Sequence, residues 1–173
     1  MAGKNGLPLH ADDLREMGQD VSDVLARLDP KKAEELRYTW RFWARPQQLA
    51  PEGDWNTWLI LAGRGFGKSR AGTEWVREMV KRGHKRIALV TATNSDIERV
   101  AITGESGFLN SCWKGDKTYK GEVIGLPNWL PTKRTLTWEN GAQLQAFSAE
   151  EPERLRGPQF SAAYCDELCA WSK

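Results

Sequence analysis

Seven consecutive residues, Gly63-Arg64-Gly65-Phe66-Gly67-Lys68-Ser69, constrain the fold of this chain more than any other feature. Three glycines alternate with larger residues and lead into a lysine and a hydroxyl. A short apolar run with strand character, Trp58-Leu59-Ile60-Leu61-Ala62, precedes them. After them, from about Ser69 to Arg82, the residues Ala71, Trp75, Val76 and Met79 share one face of an expected helix. Glycine takes the positive φ that turns consecutive main-chain N–H groups inward. The N-terminus of the following helix adds partial positive charge at the same place. Such a ring of amides suits a phosphate.

Within that ring Lys68 supplies a mobile cation for the β and γ phosphates of a nucleotide, and Ser69 a hydroxyl for Mg²⁺. ATP and Mg²⁺ are therefore the expected ligands, cradled by Gly63, Arg64, Gly65, Phe66, Gly67, Lys68 and Ser69. The full phosphate-loop pattern, G-x-x-x-x-G-K-[ST], begins with glycine where this chain has Ala62. Small size is what that position needs, and alanine keeps it. The competing reading, a tight strand-to-helix turn with an incidental lysine, leaves the hydroxyl and the spacing unexplained.

The rest of the chain supplies the elements such a loop requires. Arg86 to Thr91 reads as a second buried strand, and Asn94 or Ser95 can cap a helix through Ile102. Residues 104–131 carry several glycines and two prolines and read as loop. Arg134–Trp138 and Gln143–Phe147 alternate around Asn140-Gly141, a hairpin signal. Phe160 to Cys165 reads as a last strand, ending at Asp166-Glu167. Strand, glycine loop, helix and strand in succession predict an α/β fold with a mostly parallel central sheet, and ligands of such sheets bind beyond the carboxyl ends of the strands. Upstream, Asp12–Leu28 and Lys31–Ala44 have helical spacing, separated by Asp29-Pro30.

An apolar strand ending in Asp-Glu is the Walker B pattern. Asp166 would hold Mg²⁺ through water, and Glu167 would orient and deprotonate an attacking water. Alone the pair is weak, because Asp-Glu pairs are common on solvated surfaces. Gln48, ahead of the loop, has an amide that can both donate to and accept from an adenine edge, or can belong to a polar loop. Arg64 either leans on a γ-phosphate or extends into water; the residues leave both open.

Composition bounds the function classes. At 173 residues the chain holds one domain with a core but not two ordinary ones, and 40% apolar with 28% charged residues is a globular composition. With 25 Lys and Arg against 23 Asp and Glu, the net charge of +2 gives no argument for nucleic-acid binding. The first fifteen residues lack the apolar stretch of a signal peptide, and no run reaches the length of a membrane span. A cytoplasmic protein without membrane partners is expected. The cysteines, Cys112, Cys165 and Cys169, lack metal-site spacing. Cys165 and Cys169 read as small core residues.

Taken together, Trp43-Ala44-Arg45-Pro46-Gln47-Gln48-Leu49, Gly53-Asp54-Trp55, the loop itself and Ala71-Gly72-Thr73-Glu74-Trp75 resemble the large terminase subunit of tailed phages and gene-transfer agents. Asn140-Gly141-Ala142, Phe147 to Pro152, Arg154 to Pro158 and Tyr164 to Leu168 carry the same resemblance. It implies a P-loop NTPase of ASCE type with N-terminal helices and a β-hairpin insertion. Residues 1–36 would be an N-terminal helical segment and 37–173 a partial ATPase domain, cut after the Walker B strand.

The implied activity is ATP-driven translocation of double-stranded DNA into a procapsid. The implied partners are a portal protein, a small terminase subunit and further copies of the chain in a ring. The resemblance favours Gln48 as the adenine contact and gives Arg64 a phosphate or switch role. Arg156 matches an arginine finger acting on a neighbour's nucleotide, with Arg154 a weaker candidate. The family's coupling motif and nuclease domain are not matched, so no DNA cutting is expected. A helicase-like motor and a catalytically inactive nucleotide- or partner-binding module stand as alternatives.

Overall fold

The computed structural model describes residues 10–171, in two compact units divided between Leu59 and Ile60. Part of the expected N-terminal segment, residues 1–9, lies outside the described residues.

The first unit is built from short capped helices: α1 (Ala11–Glu16), α2 (Val21–Arg27), α3 (Pro30–Arg37) and α4 (Trp40–Trp43). The two long helices expected here are therefore each broken. Gly18 at φ +71° ends the first, and Asp20 starts a new one by accepting the Ser22 N–H. Asp29 caps α3 through the N–H groups of Lys31 and Lys32, with Pro30 at the first helical position. Ala11, Leu14, Leu25, Leu36 and Phe42 bury together as the core of this unit. Trp43 packs against this core and donates its indole N–H to the Leu36 carbonyl.

The second unit is an α/β sheet. α5 (Lys68–Lys81) leads through the turn at Gly83 into β1 (Arg86–Thr91). A helix follows, regular over Asn94–Asp96 (α6) and widened to π turns over Ile97–Ile102. Next come α7 (Phe108–Ser111), β2 (Asn128–Leu130), β3 (Thr135–Thr137), β4 (Gln143–Ser148) and β5 (Ala162–Cys165). The sheet order is β2-β3-β4-β1-β5. β1 pairs in parallel with β4 and β5, whereas β2–β3 and β3–β4 are antiparallel. The sheet is mixed rather than mostly parallel, because the hairpin around Asn140-Gly141 adds its strands to the same sheet.

A second difference concerns Trp58–Ala62. Its β propensity predicts a strand, yet it runs without a ladder, with Leu61 85% exposed. The third lies in residues 104–131. Phe108 and Ile124 are fully buried there, and β2 adds an edge, so the segment completes the core instead of looping outside it.

Side chains alternate across β1 as a pleated strand requires. Ile87 and Leu89 face α5, packing with Val76, Met79, Val80, Leu136 and Leu144, while Ala88 and Val90 meet Phe147 on the other face. The parallel pairings align the carboxyl ends of β1, β4 and β5 along one edge of the sheet. A 14-residue helix spans roughly 21 Å, close to the roughly 20 Å of a six-residue strand. Returning through the short Gly83 turn, α5 brings its N-terminus level with that edge.

Candidate functional site

The site is assembled at that edge from the start of α5 and the end of β5. Gly65 (φ +78°) and Gly67 (φ +86°) hold the loop in left-handed conformations that side chains resist. Gly63 has an ordinary φ and open space where a Cβ would go, so the structure gives no conformational reason for glycine there. Gly67 is the N-cap and offers no side-chain acceptor; its carbonyl receives the first helical bond from the Ala71 N–H. The amides of Lys68, Ser69 and Arg70 therefore lack intrahelical acceptors, as at any helix start. Lys68 curls back over the loop, its Nζ donating to the Ala62 and Gly63 carbonyls at 2.9 Å each. The Lys68 ammonium group and the start of α5 thus stand together at the glycine loop.

Asp166 leaves β5 with its N–H donating to the Val90 carbonyl at 2.8 Å, which ties it to the central strand. Burial pushes its carboxyl upward, the Glu167 charge pushes the same way, and Tyr164 and Lys68 oppose them; the net shift is upward. Lys68 and Asp166 are thus close enough to sense each other. Tyr164 lies between Asp166 and Ser69, its phenol proton held above its ordinary range chiefly by burial and the Asp166 charge. Its hydroxyl is buried and faces both groups without a well-formed hydrogen bond to either. Glu167 follows in the left-handed region at φ +49°, exposed to solvent. A non-glycine residue held there stores roughly 1 kcal/mol of strain.

The donors at this point are oxygens, a serine hydroxyl and a carboxylate, with the orphaned Tyr164 hydroxyl beside them. That set fits a hard cation such as Mg²⁺. Among the described residues, no group of three or more His, Cys, Asp or Glu side chains is placed to hold a metal ion. A cation here would draw its remaining oxygens from phosphates and water.

The other expected residues have the following surroundings. Gln48 belongs to the first unit, in a short 3₁₀ turn; it is buried and its Oε1 accepts the Arg45 N–H at 2.9 Å. Arg64 is exposed and Phe66 half-buried. Arg156 has an 85% exposed side chain, 3.8 Å from Glu153, and Arg154 pairs with Glu151. Cys165 and Cys169 are exposed, not core, because β5 alternates outward at Cys165 and Cys169 lies beyond its end; Cys112 is the buried one. An open hollow lined by Arg82 to Arg86 and Gln159 to Ser161 lies at the amino ends of β1 and β5, away from the glycine loop.

Two features escaped the sequence reading. One is Tyr164, which looks like any strand aromatic; a glycine inside α5, Gly72, is the signal that points to it. The other is a buried ion network behind the loop helix. Arg77 donates to both oxygens of Asp116 and to Glu74, Glu74 also receives Arg70, and Lys81 reaches Asp116 at 2.9 Å. Glu-x-x-Arg spacing within a helix is a common pattern, but Asp116 comes from 39 residues away.

A family model described as "Terminase large subunit, T4likevirus-type, N-terminal" matches residues 59–173, more than half of the 173-residue chain. No curated protein and no solved structure matches it.

Proposed function

The chain belongs to the T4likevirus-type terminase large subunit family, matching its N-terminal part, and from that premise we propose that it binds Mg·ATP as the ATPase portion of a viral DNA-packaging motor. The observation that carries the reading is the convergence of Lys68, the start of α5 and Asp166 at one edge of the sheet. Gly65 and Gly67 present the loop amides to the phosphates. Lys68 would exchange its two carbonyl partners for β- and γ-phosphate oxygens, and Ser69 and Asp166 would hold the cation. Mg²⁺, when bound, neutralises charge on those oxygens.

Glu167 stands next to Asp166, free to orient a water toward the γ-phosphate. Arg64 projects from the loop itself, a cation with access to the same phosphate. Arg156 is exposed enough to serve a neighbouring copy's nucleotide. Gln48 would recognise adenine. In the assembled motor, hydrolysis would be coupled to movement of double-stranded DNA through a portal, with a small terminase subunit and further copies of the chain as partners.

Steady-state phosphate release with Mg·ATP tests the reading. Lys68→Ala is expected to lose binding and turnover together. Glu167→Gln is expected to keep binding and lose turnover; undiminished hydrolysis by that variant removes Glu167 as the base. A second reading, a module that binds nucleotide without hydrolysing it, is favoured by the exposure of Glu167 and the unladdered run at Trp58–Ala62. Absence of turnover in a wild-type chain that binds Mg·ATP selects it.

A further inference from the structure

Gly72 lies inside α5, and glycine in a helix interior weakens it relative to alanine. A packing reason is therefore expected, and the structure gives one. A Cβ at Gly72 would stand 2.3 Å from both Cε2 and Cζ of Tyr164 and 2.7 Å from its hydroxyl oxygen. Only a bare helix backbone admits the tip of this ring. The ring reaches α5 three residues after Ser69, from a strand position two residues before Asp166.

Phenylalanine would fill the same space and leave no polar atom behind. Instead the chain buries a hydroxyl with no completed hydrogen bond, an unfavourable arrangement unless the group is used. The polar groups facing it are Asp166 and Ser69. A phenol hydroxyl has one proton to donate and lone pairs to accept, so it can serve both at once.

We propose that Tyr164 is a positioning residue of the nucleotide site: seated on Gly72, its hydroxyl would, once the site is loaded, donate to the Asp166 carboxylate and accept from Ser69, holding the two oxygen donors toward one cation. The inference rests on the Mg·ATP reading above. Tyr164 touches neither phosphate nor cation in this scheme; it acts through Asp166. Gly72 and Tyr164 then form one device, in which a gap in the helix surface sets the depth of the ring and the ring sets the carboxylate.

The test is calorimetric binding of ATP to the full chain across a Mg²⁺ titration, with and without Tyr164→Phe. Losing a group that orients a metal ligand typically weakens metal affinity tenfold or more. The Mg²⁺ concentration for half-maximal enhancement of ATP binding should therefore rise about tenfold. Metal-free ATP binding should be unchanged. In Asp166→Asn the same substitution should add nothing, since its target is already altered. A wild-type Mg²⁺ dependence in Tyr164→Phe overturns the proposal, as does additivity with Asp166→Asn. A drop in thermal midpoint with the Mg²⁺ dependence intact likewise reduces Tyr164 to packing. Failure of the wild-type chain to bind ATP at all is a separate result; it removes the nucleotide reading and this inference with it.

Discussion

Removing the Asp116 carboxylate takes from a buried guanidinium the two oxygens that its Nε and Nη2 donate to, and leaves Glu74 to balance the charge. Arg77, Glu74 and Asp116 have side chains 5%, 2% and 3% exposed, so water cannot take over the lost interactions. Burial alone would drive the proton from Arg77, but the Asp116 and Glu74 carboxylates outweigh it and hold the charge firmly. Asp116→Ala deletes both oxygens that Arg77 Nε and Nη2 donate to, and the partner of Lys81. Lys81 is partly exposed and can turn to solvent; Arg77 cannot. The expected loss is about 3 kcal/mol, the lower end of the cost of breaking a buried pair, because Glu74 still balances the charge. Arg77→Met combined with Asp116→Leu should recover part of it, since a well-packed apolar pair replaces the buried ion pair while Glu74 keeps only its Arg70 partner.

Urea unfolding followed by tryptophan fluorescence reports both variants, with nine tryptophans in the chain. The pH dependence follows from the same contacts. Burial by itself raises the Asp116 carboxyl, but the Arg77 bonds and the Arg77 and Lys81 charges outweigh burial, and its net position is lowered. The stabilisation is complete above the unfolded value of about 3.9 and is lost as pH falls through the lower folded value. Wild type should therefore lose stability more steeply below about pH 4 than Asp116→Ala does. A single-variant loss below about 1 kcal/mol, typical of exposed pairs, would refute the reasoning.

Two further outcomes concern single residues. Iodoacetamide at mildly alkaline pH should label Cys165 and Cys169 but spare Cys112, which is buried and whose thiol burial pushes up to about 12; mass spectrometry of the native protein checks this, and rapid Cys112 labelling would contradict it. Gly141→Ala should cost about 1 kcal/mol in the same urea assay, because Gly141 sits at φ +79° in the hairpin turn while its Cβ position is open, so the penalty is purely conformational.

The sequence made α5, the Asn140-Gly141 hairpin and the β5 end legible because each carries its own local signal. Glycines precede the helix, a turn dipeptide joins two alternating strands, and an apolar run meets two acids. What it obscured depends on distant partners. Trp58–Ala62 has strand propensity, but main-chain ladder bonds need a neighbour, and propensity does not supply one. Gly18 and Asp20 divide one apolar stripe into two helices, which periodicity reads through. Phe108 and Ile124 stand in short apolar stretches beside glycines, next to the exposed Leu109 and Val123, and which of them is buried becomes visible only once the sheet stands beside them. The Arg77–Asp116 pair and the Gly72–Tyr164 contact join residues far apart in the chain, and no spacing rule reaches that far.

Calorimetric titration of the folded wild-type chain with Mg·ATP, set beside Lys68→Ala, tests the central claim most directly. Saturable binding by wild type that the variant loses is the predicted result. Equal heats from both proteins, or no binding to either at millimolar nucleotide, would contradict it.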